Sequence, residues 1–124
     1  MTDLEARARA AQQRAYAPYS RFKVGAAVQM DGQVFDGVNV ESASYPLCVC
    51  AERNAIAAAI NGGARVLQRV VVCTDASPPS SPCGGCRQWL HEFRVDRVAF
   101  RREDGSIAEY TPAELLPDTW NLPD

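Results

Sequence analysis

Val24-Gly25-Ala26-Ala27-Val28-Gln29-Met30-Asp31-Gly32-Gln33-Val34-Phe35-Asp36-Gly37-Val38-Asn39-Val40 is two mainly apolar runs around an Asp-Gly pair. An Asp-Gly dipeptide between such runs is a strong hairpin signal, because its residues reach the positive φ that a tight turn needs. The spacing therefore predicts a strand over 24–30 and a returning strand over 33–40. Upstream, residues 3–16 are rich in Ala, Arg, Gln and Glu and predict a helix ending before Pro18. Downstream, 41–49 reads as irregular. A helix follows from about Cys50 to Ile60, stopped by Gly62-Gly63.

Residues 68–74 then predict a buried strand, and Ser77-Pro78-Pro79-Ser80-Ser81-Pro82 a loop. A third helix runs from near Cys83 to about Phe93. Two further strands, 95–101 and 106–110, flank a turn at Asp104-Gly105, and Thr111-Pro112 has the chemistry of a helix start for a short helix ending near Pro117. The order αββαβαββα predicts an α/β fold, a mixed five-stranded sheet covered by helices.

The 124 residues, 47% of them hydrophobic, are enough for one core and too few for two. One domain over 1–124 is expected. No apolar run reaches the ~18 residues that span a bilayer, and the polar start Met1-Thr2-Asp3-Leu4-Glu5 does not resemble a signal peptide. A cytoplasmic protein with no membrane partner is the expectation. The net charge of −2 argues against a nucleic-acid partner, and Arg94, Arg97, Arg101 and Arg102 read as a solvated surface. A free small molecule is the expected substrate.

The five cysteines (48, 50, 73, 83 and 86) are an odd number, which argues against a disulfide framework. Cys73 lies in an apolar run and reads as a core residue. Cys50-Ala51-Glu52 and Pro82-Cys83-Gly84-Gly85-Cys86 both fall where a loop enters a helix. Helix starts carry free N–H groups and partial positive charge, which favour thiolate over thiol. Three thiolates can hold Zn²⁺ with its fourth position open to water. A carboxylate that is not a ligand, Glu52, can then move protons, which suits hydrolysis. The Cys-x-Glu and Pro-Cys-x-x-Cys pairing is the general signature of zinc nucleobase deaminases. Two rival readings stay open on the residues alone. Cys48 with Cys50, Cys83 and Cys86 would make a closed structural zinc site, and Cys83-Gly84-Gly85-Cys86 alone would make a redox pair. His91 reads as a surface or packing residue.

Five ordered motifs extend this. They are Ala15-Tyr16-Ala17-Pro18-Tyr19-Ser20 followed by Phe22-x-Val24-Gly25-Ala26-Ala27, then Asn39-Val40-Glu41-x-Ala43-Ser44-Tyr45. Cys50-Ala51-Glu52-Arg53, Ser81-Pro82-Cys83-Gly84-x-Cys86-Arg87-Gln88 and Leu115-Leu116-Pro117 complete the set. Over about residues 15–117 the chain resembles the small, single-domain cytidine deaminase family. The resemblance implies a three-layer α/β/α fold, one Zn²⁺ per subunit on Cys50, Cys83 and Cys86, and Glu52 as the proton-moving group. It implies conversion of cytidine and 2′-deoxycytidine to uridine and 2′-deoxyuridine with loss of ammonia, in pyrimidine salvage. It places Arg53 beside the thiolates, Phe22 on the base, and Asn39 and Glu41 on the sugar hydroxyls. Ala51 and Ser81 would read the base's polar edge through their backbone.

The resemblance also implies a homotetramer with shared sites, in which Tyr45 reaches an adjoining subunit's site. Trp120 stands where the family commonly has a Phe closing a neighbour's site. Ser42 replaces a usual Asn, and Cys48 is not usual. Relatives acting on a cytosine-containing antibiotic share the zinc motifs, but the Phe22-x-Val24-Gly25 and Asn39-x-Glu41 segments favour the ordinary nucleoside.

Overall fold

The computed structural model describes residues 2–74, 82–101 and 106–120. Helix α1 (Thr2–Gln12) opens the chain, with acidic Asp3 and Glu5 in its first turn and Arg9 in its last, each suited to the helix dipole. Its buried residues Leu4, Ala8 and Ala11 recur at helical spacing and form one face. The hairpin follows as β1 (Val24–Met30) and β2 (Gln33–Val38), with Asp31 and Gly32 both at positive φ in the turn. Next come α2 (Ala51–Asn61), β3 (Leu67–Thr74), α3 (Gly84–Glu92), β4 (Arg97–Arg101), β5 (Ile107–Tyr110) and α4 (Pro112–Leu115).

The five strands form one sheet in the order β2-β1-β3-β4-β5. β3 and β4 are parallel, with α3 as the crossover, and the other pairings are antiparallel. Strand alternation then divides the core. Ala26, Val28 and Met30 of β1, with Val70 and Val72 of β3, pack with Ala51, Ala55, Ile56 and Ala59 of α2 and Leu90 of α3. Ala27, Val71, Cys73 and Ala99 face the other way, onto Leu4 and Ala8 of α1. The result is the expected three-layer α/β/α arrangement of a mixed five-stranded sheet.

Close approach sets the helix positions. A Cβ on Gly25 would lie 2.0 Å from the Ala8 carbonyl oxygen, and one on Gly37 would lie 2.4 Å from the Ala55 nitrogen. α1 and α2 are thus seated directly on glycine backbone.

The predicted boundaries differ in specific places. α1 stops at Gln12 rather than 16, because Tyr16 is drawn into a bridge with Val40: its N–H donates to the Asn39 carbonyl, and its own carbonyl accepts from Glu41. Val40 also bridges Val49, so β2 ends at Val38. Within 41–49, a 3₁₀ turn covers Tyr45–Leu47, with Pro46 in its first turn. β4 starts at Arg97 rather than 95, since the Val95 N–H closes back onto the Leu90 carbonyl. α4 ends at Leu115, with a capping box between Thr111 and Glu114. The turn expected at Asp104-Gly105 lies outside the described residues, as does most of the loop expected over 77–82. No helix of the described residues is long and apolar enough to cross a membrane.

Candidate metal and catalytic centre

Antiparallel pairing places the start of β1 beside the end of β3, with Val24 opposite Thr74. The chain leaves β2 at the same end and enters α2, and it leaves β3 there to enter α3. Two helix N-termini therefore meet at one edge of the sheet. Between them is a cavity of about 330 Å³, lined by Phe22, Asn39, Glu41, Cys50, Glu52 and Cys83 among others. A crevice at strand ends is the common position for a ligand in such folds.

Cys50 is the N-cap of α2, and Cys83 is the N-cap of α3. Both have extended backbone, so neither side chain follows the helix. This answers a geometric difficulty in Cys50-Ala51-Glu52, since residues two apart within a helix diverge. Cys86 lies buried in the first turn of α3. The three sulfurs lie within 4.8 Å of one another, and those of Cys50 and Cys83 are 3.6 Å apart. Tetrahedral zinc with Zn–S of about 2.3 Å requires S···S of ~3.8 Å. The cluster fits that ion.

The Cys86 thiol donates to the Cys50 sulfur and brings its pKa down to about 5 against the opposing effect of burial, with Arg53 and Cys83 adding to the lowering. The same hydrogen bond, then burial, pushes Cys86 upward. Metal binding releases such ligand protons. The Arg53 Nη2 donates to the Cys48 carbonyl at 3.4 Å and to the Cys50 sulfur at 3.6 Å. The hydrogen bond to Cys50 raises the arginine's own pKa, so it stays a cation.

Glu52 is 4% exposed and lines the cavity. Burial raises its carboxyl to about 7; its own backbone N–H opposes the shift, and the negative Cys50 adds to it. A carboxyl poised there can both take and give a proton near neutral pH.

Phe22 and the backbone of Ala51 also line the cavity. Asn39 holds the chain around Phe22: its Nδ2 donates to the Phe22 carbonyl at 2.8 Å, and its Oδ1 accepts from Val24 N at 2.9 Å. Glu41 accepts from the backbone N–H groups of Tyr19 and Ser20 at 3.0 and 3.1 Å, and from the Ser20 hydroxyl. Ser20 also accepts from Phe22 N, so it joins Glu41 to the aromatic wall. The sequence reading did not single out Ser20, whose partners become visible only after folding. It also missed Val49, Val72 and Thr74 as cavity wall.

Cys48 lines the cavity, but its sulfur turns to Ser42, accepting from N at 3.2 Å and donating to O at 3.6 Å. It is outside the sulfur cluster, as is His91. Tyr45 and Trp120, 73% and 62% exposed, do not line this chain's cavity. Ser81 lies outside the described residues.

Open sulfur coordination beside a buried carboxyl, on this α/β/α frame, defines a zinc hydrolase of the nucleobase-deaminase class. Residues 2–102 match the cytidine and deoxycytidylate deaminase zinc-binding region. The chain is 44% identical over 117 residues to cytidine deaminase of Halalkalibacterium halodurans, covering 92% of this chain and 89% of that one. It is 40% identical to cytidine deaminase of Sporosarcina psychrophila, covering 98% and 91%. The crystal structure of cytidine deaminase from Burkholderia pseudomallei superposes with a TM-score of 0.89 at 41% identity, over 96% of this chain and 98% of that one. The chain belongs to the cytidine deaminase family.

Proposed function

We propose that the protein hydrolyses the C4 amino group of cytidine to give uridine and ammonia, and that it acts on 2′-deoxycytidine in the same way, in pyrimidine salvage. The observation that carries this reading is the buried Glu52 on the wall of a cavity that is also lined by Cys50 and Cys83 of the three-sulfur cluster. Cys50, Cys83 and Cys86 would hold a zinc ion, which when bound would bring the pKa of its water towards neutral. Glu52 takes a proton from water and gives it to N3 of the pyrimidine, which makes C4 electrophilic. A second proton passes through the same carboxyl to the departing amino group. Water and cytidine thus leave as uridine and ammonia.

Arg53 returns positive charge to the thiolates. Phe22 stacks on the base. Asn39 and Glu41 bind the sugar hydroxyls, and the carboxylate disfavours a phosphate there, so nucleosides are preferred to nucleotides. The backbone of Ala51 and Ser81 reads the base edge. Residues 1–124 act as one zinc-dependent domain. The exposed Tyr16, Tyr19, Tyr45, Leu47 and Trp120 support a subunit interface. We assign them to a homotetramer in which Tyr45 and Trp120 complete a neighbour's site. Thiolate ligands without a disulfide suit the reducing cytoplasm.

The test is the loss of ultraviolet absorbance from cytidine and deoxycytidine with wild type, Cys48→Ala and Glu52→Gln. Wild type and Cys48→Ala turn over, whereas Glu52→Gln is slower by about 10²–10⁴-fold with its zinc retained. Absence of turnover by zinc-loaded wild type overturns the reading. A monomer in solution overturns the shared sites.

A further inference from the structure

Arg87 follows the metal-ligating Cys86 and lies on α3. Among the described residues, its side chain donates in two directions. Nε donates to the Pro82 carbonyl and Nη1 to the Leu115 carbonyl, both at 2.8 Å. Pro82 is buried and directly precedes Cys83. Leu115 is the last residue of α4, so its carbonyl is among those a helix end leaves without an internal partner. One guanidinium therefore joins the loop that delivers Cys83 to the C-terminal helix.

The two ligands on this motif are held differently. Cys86 belongs to regular helix and is buried, whereas Cys83 is exposed and sits at the N-cap, outside helical geometry. The hydrogen bond between them runs from the Cys86 N–H to the Cys83 sulfur, at 3.5 Å. The place of the Cys83 sulfur thus depends on the chain path into α3. Arg87 fixes the carbonyl one residue before it.

We propose that Arg87 is a positioning residue for the metal. Clamped to α4, it holds Pro82-Cys83 so that the Cys83 sulfur keeps its distance from Cys50 and Cys86. This rests on the zinc reading of the three cysteines. Groups outside the ligand set commonly change metal affinity by 10–100-fold when removed. The planar fork of arginine reaches two separated acceptors, and a lysine ammonium on the same backbone reaches one of them. Gln88 of α3 also meets the C-terminal segment, its Nε2 donating to the Trp120 carbonyl at 3.1 Å, a contact that does not involve Pro82 or Cys83.

The experiment uses the full chain with Arg87→Lys, Arg87→Ala and Thr111→Ala, the last removing the cap of α4 while keeping Arg87. Two quantities are read: the rate of zinc loss to a chelator, and the visible absorption of the cobalt-substituted protein, which reports thiolate geometry. Zinc leaves about 10–100-fold faster from Arg87→Ala and at an intermediate rate from Arg87→Lys, with shifted cobalt bands in both. Thr111→Ala lowers Tm but keeps the wild-type zinc-loss rate and bands. Wild-type rate and bands in Arg87→Lys overturn the proposal even if Arg87→Ala fails to fold. So does equal zinc loss from Arg87→Lys and Thr111→Ala. A wild type that takes up neither zinc nor cobalt overturns the zinc reading itself, and this proposal with it.

Discussion

The Cys50 and Cys83 sulfurs lie 3.6 Å apart, although 33 positions separate the residues in the chain. Each caps a helix, and the two helices start at the same end of the sheet. Deprotonated together to hold a metal, sulfurs at that distance would repel each other, and the helix N-termini and Arg53 supply the compensating positive charge. The arrangement is a site built for a cation.

Arg53 brings a full positive charge to these sulfurs through its contact with Cys50. Arg53→Ala is expected to fold, to bind zinc about 10-fold more weakly, and to turn over cytidine more slowly. Metal content after dialysis against a chelator, together with steady-state rates, checks this. Wild-type values for both would remove the residue from any role at the metal.

Glu41 is held below the ordinary carboxylate range, first by the Ser20 hydroxyl and then by the Ser20 and Tyr19 N–H groups. A lowered folded pKa means that the unfolded chain binds the proton more readily. The stabilisation is therefore fully present above 4.5, the ordinary value, and is lost as pH falls through the lower folded value. Glu41→Gln is expected to have a lower Tm than wild type near neutral pH, and the gap should close in acid. KM for cytidine should rise more than kcat falls, because the segment carrying Phe22 loses its anchor. Melting curves across pH decide the first point; a gap that stays constant into strong acid would refute it.

Gly37 lies beneath the first turns of α2. A methyl group there would be 2.4 Å from the Ala55 nitrogen and 2.7 Å from the Ala51 carbonyl oxygen, so α2 must move. Gly37→Ala is expected to cost about 1–3 kcal/mol and to weaken zinc binding, since Cys50 travels with the helix. Urea unfolding and zinc titration measure the two effects. A variant as stable as wild type would show that α2 is not seated on this glycine.

Much of the frame follows from local pattern. The Asp31-Gly32 turn, the apolar runs of β1 and β3, and the Gly62-Gly63 stop all act over a few residues, and all appear where the pattern puts them. The ends of α1 and β2 do not, because Tyr16 and Val40 pair with each other across 24 positions of chain. No local preference encodes such a bridge.

The same division holds at the site. The residue types and spacings of Cys50-Ala51-Glu52 and Pro82-Cys83-Gly84-Gly85-Cys86 by themselves specify thiolate ligands with a carboxylate partner, because ligand chemistry is a property of the side chain. Which thiols converge was decided by tertiary structure. Cys48, two residues from Cys50, is turned away by its hydrogen bonds to Ser42, while Cys83 is brought in from the far end of β3 and its loop. The poise of Glu52 was decided in the same way. A carboxyl in an open chain titrates at its ordinary value, and burial, with the negative Cys50 adding to it, raises this one to about 7.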